Sequence, residues 1–237
     1  MTLASLIPIA APTGIYLITP DTLDTTALLK ATQAALEGGV RWLQYRNKCA
    51  NAALRLEQAQ ALRALTRSAG ALTRSAGVVT RRAAPHLIIN DDPALAVAVQ
   101  ADGVHLGRDD ASVAQARALL GAQAVIGVSA YDDAARAQHA AQAGANYVAF
   151  GAVFASTVKP QAVHAPLALL TQARQAGLHV VAIGGIQESN LAQVVAAGAH
   201  AAALITAVYD APDPRAAAKH LVQQFEQAQK FREPGMP

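Results

Sequence analysis

Residues 44–48 read Gln44-Tyr45-Arg46-Asn47-Lys48, directly after the largely apolar run Val40, Arg41, Trp42, Leu43. Side chains of a β-strand alternate between its faces, so a strand here sets Gln44, Arg46 and Lys48 on one side. Arginine offers a planar fork and lysine a compact point charge, and beside an amide the pair suits a ligand carrying phosphate. A solvated strand end with ordinary surface charge competes with that reading. What tips the balance is that polar residues recur after other apolar runs. They are Asn90-Asp91-Asp92-Pro93, Gly107-Arg108-Asp109-Asp110, Ser129, Ser156-Thr157-Val158-Lys159, Gly184-Gly185 and Thr206.

Asp91 and Asp110, set among cations, point to Mg²⁺ held between protein and a diphosphate, because magnesium takes one or two carboxylates and completes its shell with phosphate and water. Helix capping is the competing role: it is preferred for Asp92, which precedes Pro93, and the metal is preferred for Asp91 and Asp110. Gly184-Gly185 and Ile205-Thr206-Ala207 resemble a phosphate site built on backbone N–H groups. Two phosphorylated ligands facing each other imply a condensation.

A scaffold must bring these residues together. Short β-rich runs at 14–19, 40–46, 86–90, 103–106, 124–129, 147–150, 179–183 and 202–205 alternate with Ala/Leu/Gln-rich helical stretches. Asp24 is placed to cap a helix over 25–37, and Gly144, Gly177 and Gly198 stand between a helical stretch and the next strand, where glycine supplies a left-handed turn. Eight such units predict an α/β protein, a single (β/α)₈ TIM barrel of parallel strands, whose functional side chains gather at the C-terminal strand ends. An open doubly wound sheet is the alternative, but no glycine-rich dinucleotide fingerprint follows the first strand.

The 237 residues are read as one domain, with the barrel core at about 14–226. At 53% hydrophobic and 4% aromatic, its interior must be mainly Ala, Val, Leu and Ile. A net charge of +3 without a long basic run argues against nucleic acid, and no stretch suits a membrane span or a targeting signal. A single cysteine, Cys49, excludes an intrachain disulfide and fits the cytoplasm. Residues 64–70, ALTRSAG, recur unchanged as 71–77. Seven residues are nearly two helical turns, so this duplication either lengthens the helix before the third strand or frays into a loop. The tail at 231–237 is expected to be poorly ordered.

Taken in order, these pieces are similar to one family. QYRNK at 44–48, Asn90-Asp91, DGVHLGRDD at 102–110, GVSA at 127–130, FGAVFASTVK at 150–159, AIGGI at 182–186 and ITAV at 205–208 resemble thiamine phosphate synthase in sequence and place. The resemblance implies that an aminopyrimidine methyl diphosphate loses pyrophosphate and that the nitrogen of a thiazole phosphate attacks the cation-like carbon left behind. It implies Mg²⁺ on Asp91 and Asp110, charge stabilisation by Arg46, Lys48 and Lys159, and a bond from Ser129 to the departing phosphate. By the same resemblance Gln44 and Asn90 contact the pyrimidine diphosphate, Tyr45 and Asn47 join the substrate-binding set, and Ser156, Thr157, Val158, Gly185, Ile205 and Thr206 hold the thiazole phosphate. A homo-oligomer through the outer helices fits the family. Three positions depart from its pattern: Arg108 for Gln, Tyr131 for His, and Val158 for a hydroxyl residue. Rival implications are a thiazole tautomerase of the same fold and a non-catalytic thiamine-phosphate sensor. His105 and the other histidines read as structural, and Trp42 as barrel filling.

Overall fold

The computed structural model describes residues 11–75, 84–155 and 163–232. Eight parallel strands close a barrel in sequence order: β1 (Gly14–Ile18), β2 (Trp42–Tyr45), β3 (His86–Asn90), β4 (Gly103–Leu106), β5 (Val125–Tyr131), β6 (Tyr147–Phe150), β7 (Val180–Ile183) and β8 (Ala201–Leu204), with β8 paired to β1. Helices α1 (Thr25–Glu37), α2 (Ala52–Ser75), α3 (Pro93–Ala98), α4 (Val113–Leu120), α5 (Ala134–Gln142), α6 (Leu167–Gln175) and α7 (Glu188–Ala196) each follow a strand, and α8 (Thr206–Tyr209) and α9 (Pro214–Arg232) follow β8. The expected (β/α)₈ barrel is therefore the observed one.

Strand alternation sorts the core into two layers. Tyr16, Ile18, Trp42, Ile88, Val125, Tyr147, Ala149, Val181, Ala201 and Ala203 fill the barrel. A larger layer, including Leu17, Leu43, Tyr45, Leu87, Ile89, Val104 and Ile126, joins the outer face of the sheet to helix residues such as Leu36, Leu62 and Leu191. Small helix residues, Ala35, Ala59, Ala116 and Ala137, are fully buried, so the helices sit close on the sheet. That packing explains how a chain with so few aromatics fills its interior.

Local signals hold where side chains meet backbone. The Asp24 carboxylate accepts from Ala27 N at 2.9 Å and starts α1, and the Asp92 carboxylate accepts from Leu95 N at 2.9 Å and starts α3. Ser112, rather than Asp110, caps α4 and forms a capping box with Gln115. Gly144 takes φ 93° just past α5.

Strand ends shift by a residue or two from expectation, and three differences bear on the site or the tail. β2 ends at Tyr45, so Arg46 and Lys48 lie in the loop beyond it. β5 continues to Tyr131, with a register shift between Ser129 and Tyr131, where Tyr131 takes φ 58°. α9 runs to Arg232, taking in the first two residues of the expected tail, and Phe231 on it is 77% exposed. α2, 24 residues long, carries helix through the first copy of the duplication and into the second as far as Ser75; residues 76 and 77 lie outside the described residues.

Candidate functional site at the C-terminal mouth of the barrel

The end of β2 is fixed to the end of β1 by Thr19. Its buried hydroxyl donates to Arg46 O and accepts from Arg46 N, both at 2.8 Å. Just beyond β1, Asp21 accepts from Arg46 Nη1 at 2.9 and 3.0 Å through its two oxygens, and from Lys48 N at 2.6 Å. The Lys48 ammonium crosses the mouth to an ion pair with Asp91. Asp91 sits immediately after β3 with φ 64°, a left-handed conformation that a short polar residue tolerates. Its backbone N–H donates to His105 O at 2.7 Å, which ties the turn to β4.

Asp110 returns from the loop after β4. Its carboxylate accepts from Gly107 N at 2.6 Å and lies close enough to the Asp91 carboxyl for each to shift the other's titration. The pair splits in character. Burial opposes ionisation of Asp91, yet Lys48 and its other neighbours outweigh it and hold that carboxyl below the usual range. Asp110 is pushed up by burial and by Asp91 itself. Two carboxyl groups beside a lysine form the donor set of a hard cation that one substrate phosphate would complete. Among the described residues no group of three or more His, Cys, Asp or Glu side chains could hold a metal by itself.

Below this rim the barrel interior is polar. Gln44 is buried, and its amide donates to the Tyr16 hydroxyl at 2.9 Å. Tyr16 and Tyr147 share a hydrogen bond of 2.9 Å, Tyr147 meets His105 Nδ1 at 3.0 Å, and His105 Nε2 meets Ser129 Oγ at 2.9 Å. Burial lowers His105 to about 4, so its ring is neutral at physiological pH, and burial raises both phenols. Gly127 makes room for this: a Cβ there would stand 2.0 Å from the Tyr147 ring.

Several expected residues face elsewhere. Tyr45 points into the sheet–helix layer, where its hydroxyl donates to Gln58 at 2.9 Å and burial raises its pKa to about 12. Asn47 donates to Thr22 O at 2.6 Å and to Gln58 at 2.9 Å. Both side chains therefore shape the loop from behind rather than line the mouth. Asn90 pairs with His105 across β3 and β4. Arg108 and Tyr131, two of the departures, meet each other: the guanidinium lies 4.9 Å from the ring centre. At the opposite rim Gly184 and Gly185 take φ 100° and 62°, and a Cβ on Gly185 would lie 2.2 Å from Ala155 O. Ile205 is the N-cap of α8 and Thr206 its first residue. Ser156, Thr157, Val158 and Lys159 lie outside the described residues.

Sequence reasoning passed over Asp21, because no polar residue after the first strand was counted, although Thr19-Pro20-Asp21 carries the signal. It also passed over Tyr16 and Tyr147, whose alternation with apolar neighbours places them inside the barrel.

A closed (β/α)₈ barrel whose charged and hydroxyl groups meet at one strand-end mouth defines an enzyme of phosphorylated small molecules. The chain belongs to the thiamine monophosphate synthase family, whose sequence model matches residues 15–208. It is 54% identical over 204 residues to the thiamine-phosphate synthase of Xanthomonas campestris pv. campestris, covering 86% of this chain and 91% of that one. To the thiamine-phosphate synthase of Azoarcus sp. it is 52% identical over 202 residues, covering 85% and 91%. The thiamine phosphate pyrophosphorylase structure from Pyrococcus furiosus superposes with a TM-score of 0.75 at 30% identity, covering 91% of this chain and 96% of that one.

Proposed function

We propose that this transferase condenses 4-amino-2-methyl-5-(diphosphooxymethyl)pyrimidine with thiazole phosphate, giving thiamine phosphate and pyrophosphate. The observation that carries the reading is the meeting of Asp21, Arg46, Lys48, Asp91 and Asp110 across four loops. Arg46 and Lys48 each hold a carboxylate, so an incoming diphosphate finds cations already positioned. Both would draw charge off the leaving oxygen as the carbon–oxygen bond lengthens. Asp91 and Asp110 fit Mg²⁺, which when bound neutralises pyrophosphate charge. Ser129 and Lys159 contact the departing anion, and Gln44 and Asn90 orient the pyrimidine. Gly185, Ile205 and Thr206 on the far rim hold the thiazole phosphate together with Ser156, Thr157 and Val158 of the family motif, with Gly185 giving the close backbone approach that a Cβ would block. Little proton transfer is asked of the protein, and the neutral buried His105 accords with that.

The enzyme would act in the cytoplasm on small molecules; among the described residues no helix is long and apolar enough to cross a membrane. The test is direct. Purified protein supplied with Mg²⁺ and both precursors should release pyrophosphate and thiamine phosphate in equal amounts. A folded sample that binds the precursors but forms no product would count against the synthase and favour a sensor. A tautomerase would show no Mg²⁺-dependent binding of pyrophosphate by calorimetry.

A further inference from the structure

The hydrogen bonds inside the barrel form one unbroken chain across five strands, from Gln44 through Tyr16, Tyr147 and His105 to Ser129. Its direction follows from counting protons. The Gln44 amide nitrogen can only donate, so the Tyr16 oxygen accepts there and gives its own proton to Tyr147. Tyr147, having accepted, gives its proton to His105 Nδ1. A neutral imidazole accepting at Nδ1 carries its proton on Nε2, and that proton goes to Ser129 Oγ. Ser129 thus accepts from within the barrel. Among the described residues its Oγ has no second partner, and its own proton is the one left over.

We propose that this buried chain is a polarity device: it sets His105 as the Nε2–H tautomer, so that Ser129 offers its proton outward to the anion at the mouth. His105 and Tyr147 are positioning residues acting through Ser129, and His105 does not serve as a base toward it. The proposal rests on the synthase reading for the identity of that anion, the pyrophosphate leaving group. Placement supports it. Gln44, Tyr16, Tyr147 and His105 are buried, Tyr16 and Tyr147 within the inner core, and Gly127 leaves the space that the Tyr147 ring and hydroxyl occupy. If the chain ran the opposite way, with its proton on Nδ1, His105 would accept from Ser129 and the serine would face the anion with lone pairs only.

Nitrogen NMR of the full-length protein, ¹⁵N-labelled and free of substrate, reads the tautomer directly through long-range correlations from the imidazole ring protons. Loss of one spin system in His105→Gln assigns it. The expected pattern at neutral pH is a protonated Nε2 and a bare Nδ1; a protonated Nδ1 overturns the proposal. Tyr147→Phe removes the donor to Nδ1. It should blur the single-tautomer pattern and lower kcat on the order of tenfold, as loss of one oriented hydrogen bond does, with KM for both precursors held within about twofold. An unchanged kcat in a variant with a mixed tautomer also overturns it. His105→Gln, whose amide N–H can replace Nε2–H, should retain more turnover per folded molecule than His105→Leu. A merely structural role would lower the melting temperature of both variants and leave their turnover per folded molecule alike. The tautomer is read without precursors. Failure of the wild-type protein to form thiamine phosphate would therefore sink the synthase reading, whereas only the spectrum and the variants decide the direction of the chain.

Discussion

Asp21 and Asp91 do similar work at the mouth with different partners, and the difference separates their expected effects. Asp21 is partly exposed and holds Arg46 and the Lys48 backbone, so its energy is discounted by solvent. Asp21→Asn should therefore raise KM for the diphosphate precursor by less than about tenfold, while kcat falls little. Asp110→Asn is a harsher change. It removes a carboxylate that lies beside Asp91. Turnover should drop on the order of 100-fold, as when one preorganised stabilising group is lost. Calorimetry with pyrophosphate should show the Mg²⁺-dependent part of the binding heat disappear. If Asp110→Asn kept that heat, the ion would have to be held elsewhere. Arg108→Gln should change turnover less than either, because Arg108 leans on Tyr131 rather than toward the carboxylates.

Strand β5 shows how an element serves both scaffold and site. Gly127 lies opposite Tyr147, and two residues further along the register shift frees Ser129 to meet His105. Arg136 from α5 pins this irregular stretch by donating to Ser129 O at 2.7 Å and to Gly107 O at 3.0 Å. Gly127→Ala would drive a methyl into the Tyr147 ring, so it should destabilise the fold by about 1–3 kcal/mol, as overpacked cores do, and a urea melt would measure it. A melt matching wild type would mean that the barrel absorbs the ring elsewhere. The strand itself was legible from its apolar run and the glycine before it, and so was the barrel, since eight β-then-α repeats leave few topologies. Where β5 ends was not legible, because Tyr131 at φ 58° obeys a tertiary constraint that no local propensity signals. The site divides along the same line. Asp91, Asp110, Arg46 and Lys48 announced themselves by charge at strand ends. The barrel interior hid its polar chain among apolar neighbours, and the resemblance set Tyr45 and Asn47 in the substrate site although alternation turns them away from Gln44, to where they meet Gln58 on α2.

At the scale of the whole molecule, histidines hold the end of the barrel opposite the mouth. His179 and His200 precede β7 and β8 and stack at 4.1 Å, and His86 opens β3 stacked on Trp42 at 4.2 Å. His179 donates from Nε2 to Pro12 O at 2.7 Å, while His200 Nδ1 accepts from Val180 N at 3.0 Å. Protonating His200 would set an N–H against that donor. Burial lowers His200 to about 3 and His105 to about 4, and it also lowers His86 and His179. All four are depressed in the fold relative to an unfolded value of about 6.5, so the unfolded chain binds more protons as pH falls below that point. Their contribution is present in full above about pH 6.5 and is lost progressively as the medium is acidified toward the folded values. The slope cannot exceed about 1.4 kcal/mol per pH unit for each histidine, and half-exposed His200 should give well under that. The depressed carboxyl of Asp91 weighs in only at lower pH, below the ordinary carboxylate range. Urea midpoints should therefore fall steadily from about pH 7 to pH 5 as the histidines dominate, with the raised carboxyl of Asp110 acting in the opposite sense. His200→Asn keeps an oxygen to accept from Val180 N and removes one titrating group, so its midpoints should fall less steeply over the same range. Equal slopes for the two proteins would show that the stacked pair at this end is not what makes the barrel acid-sensitive.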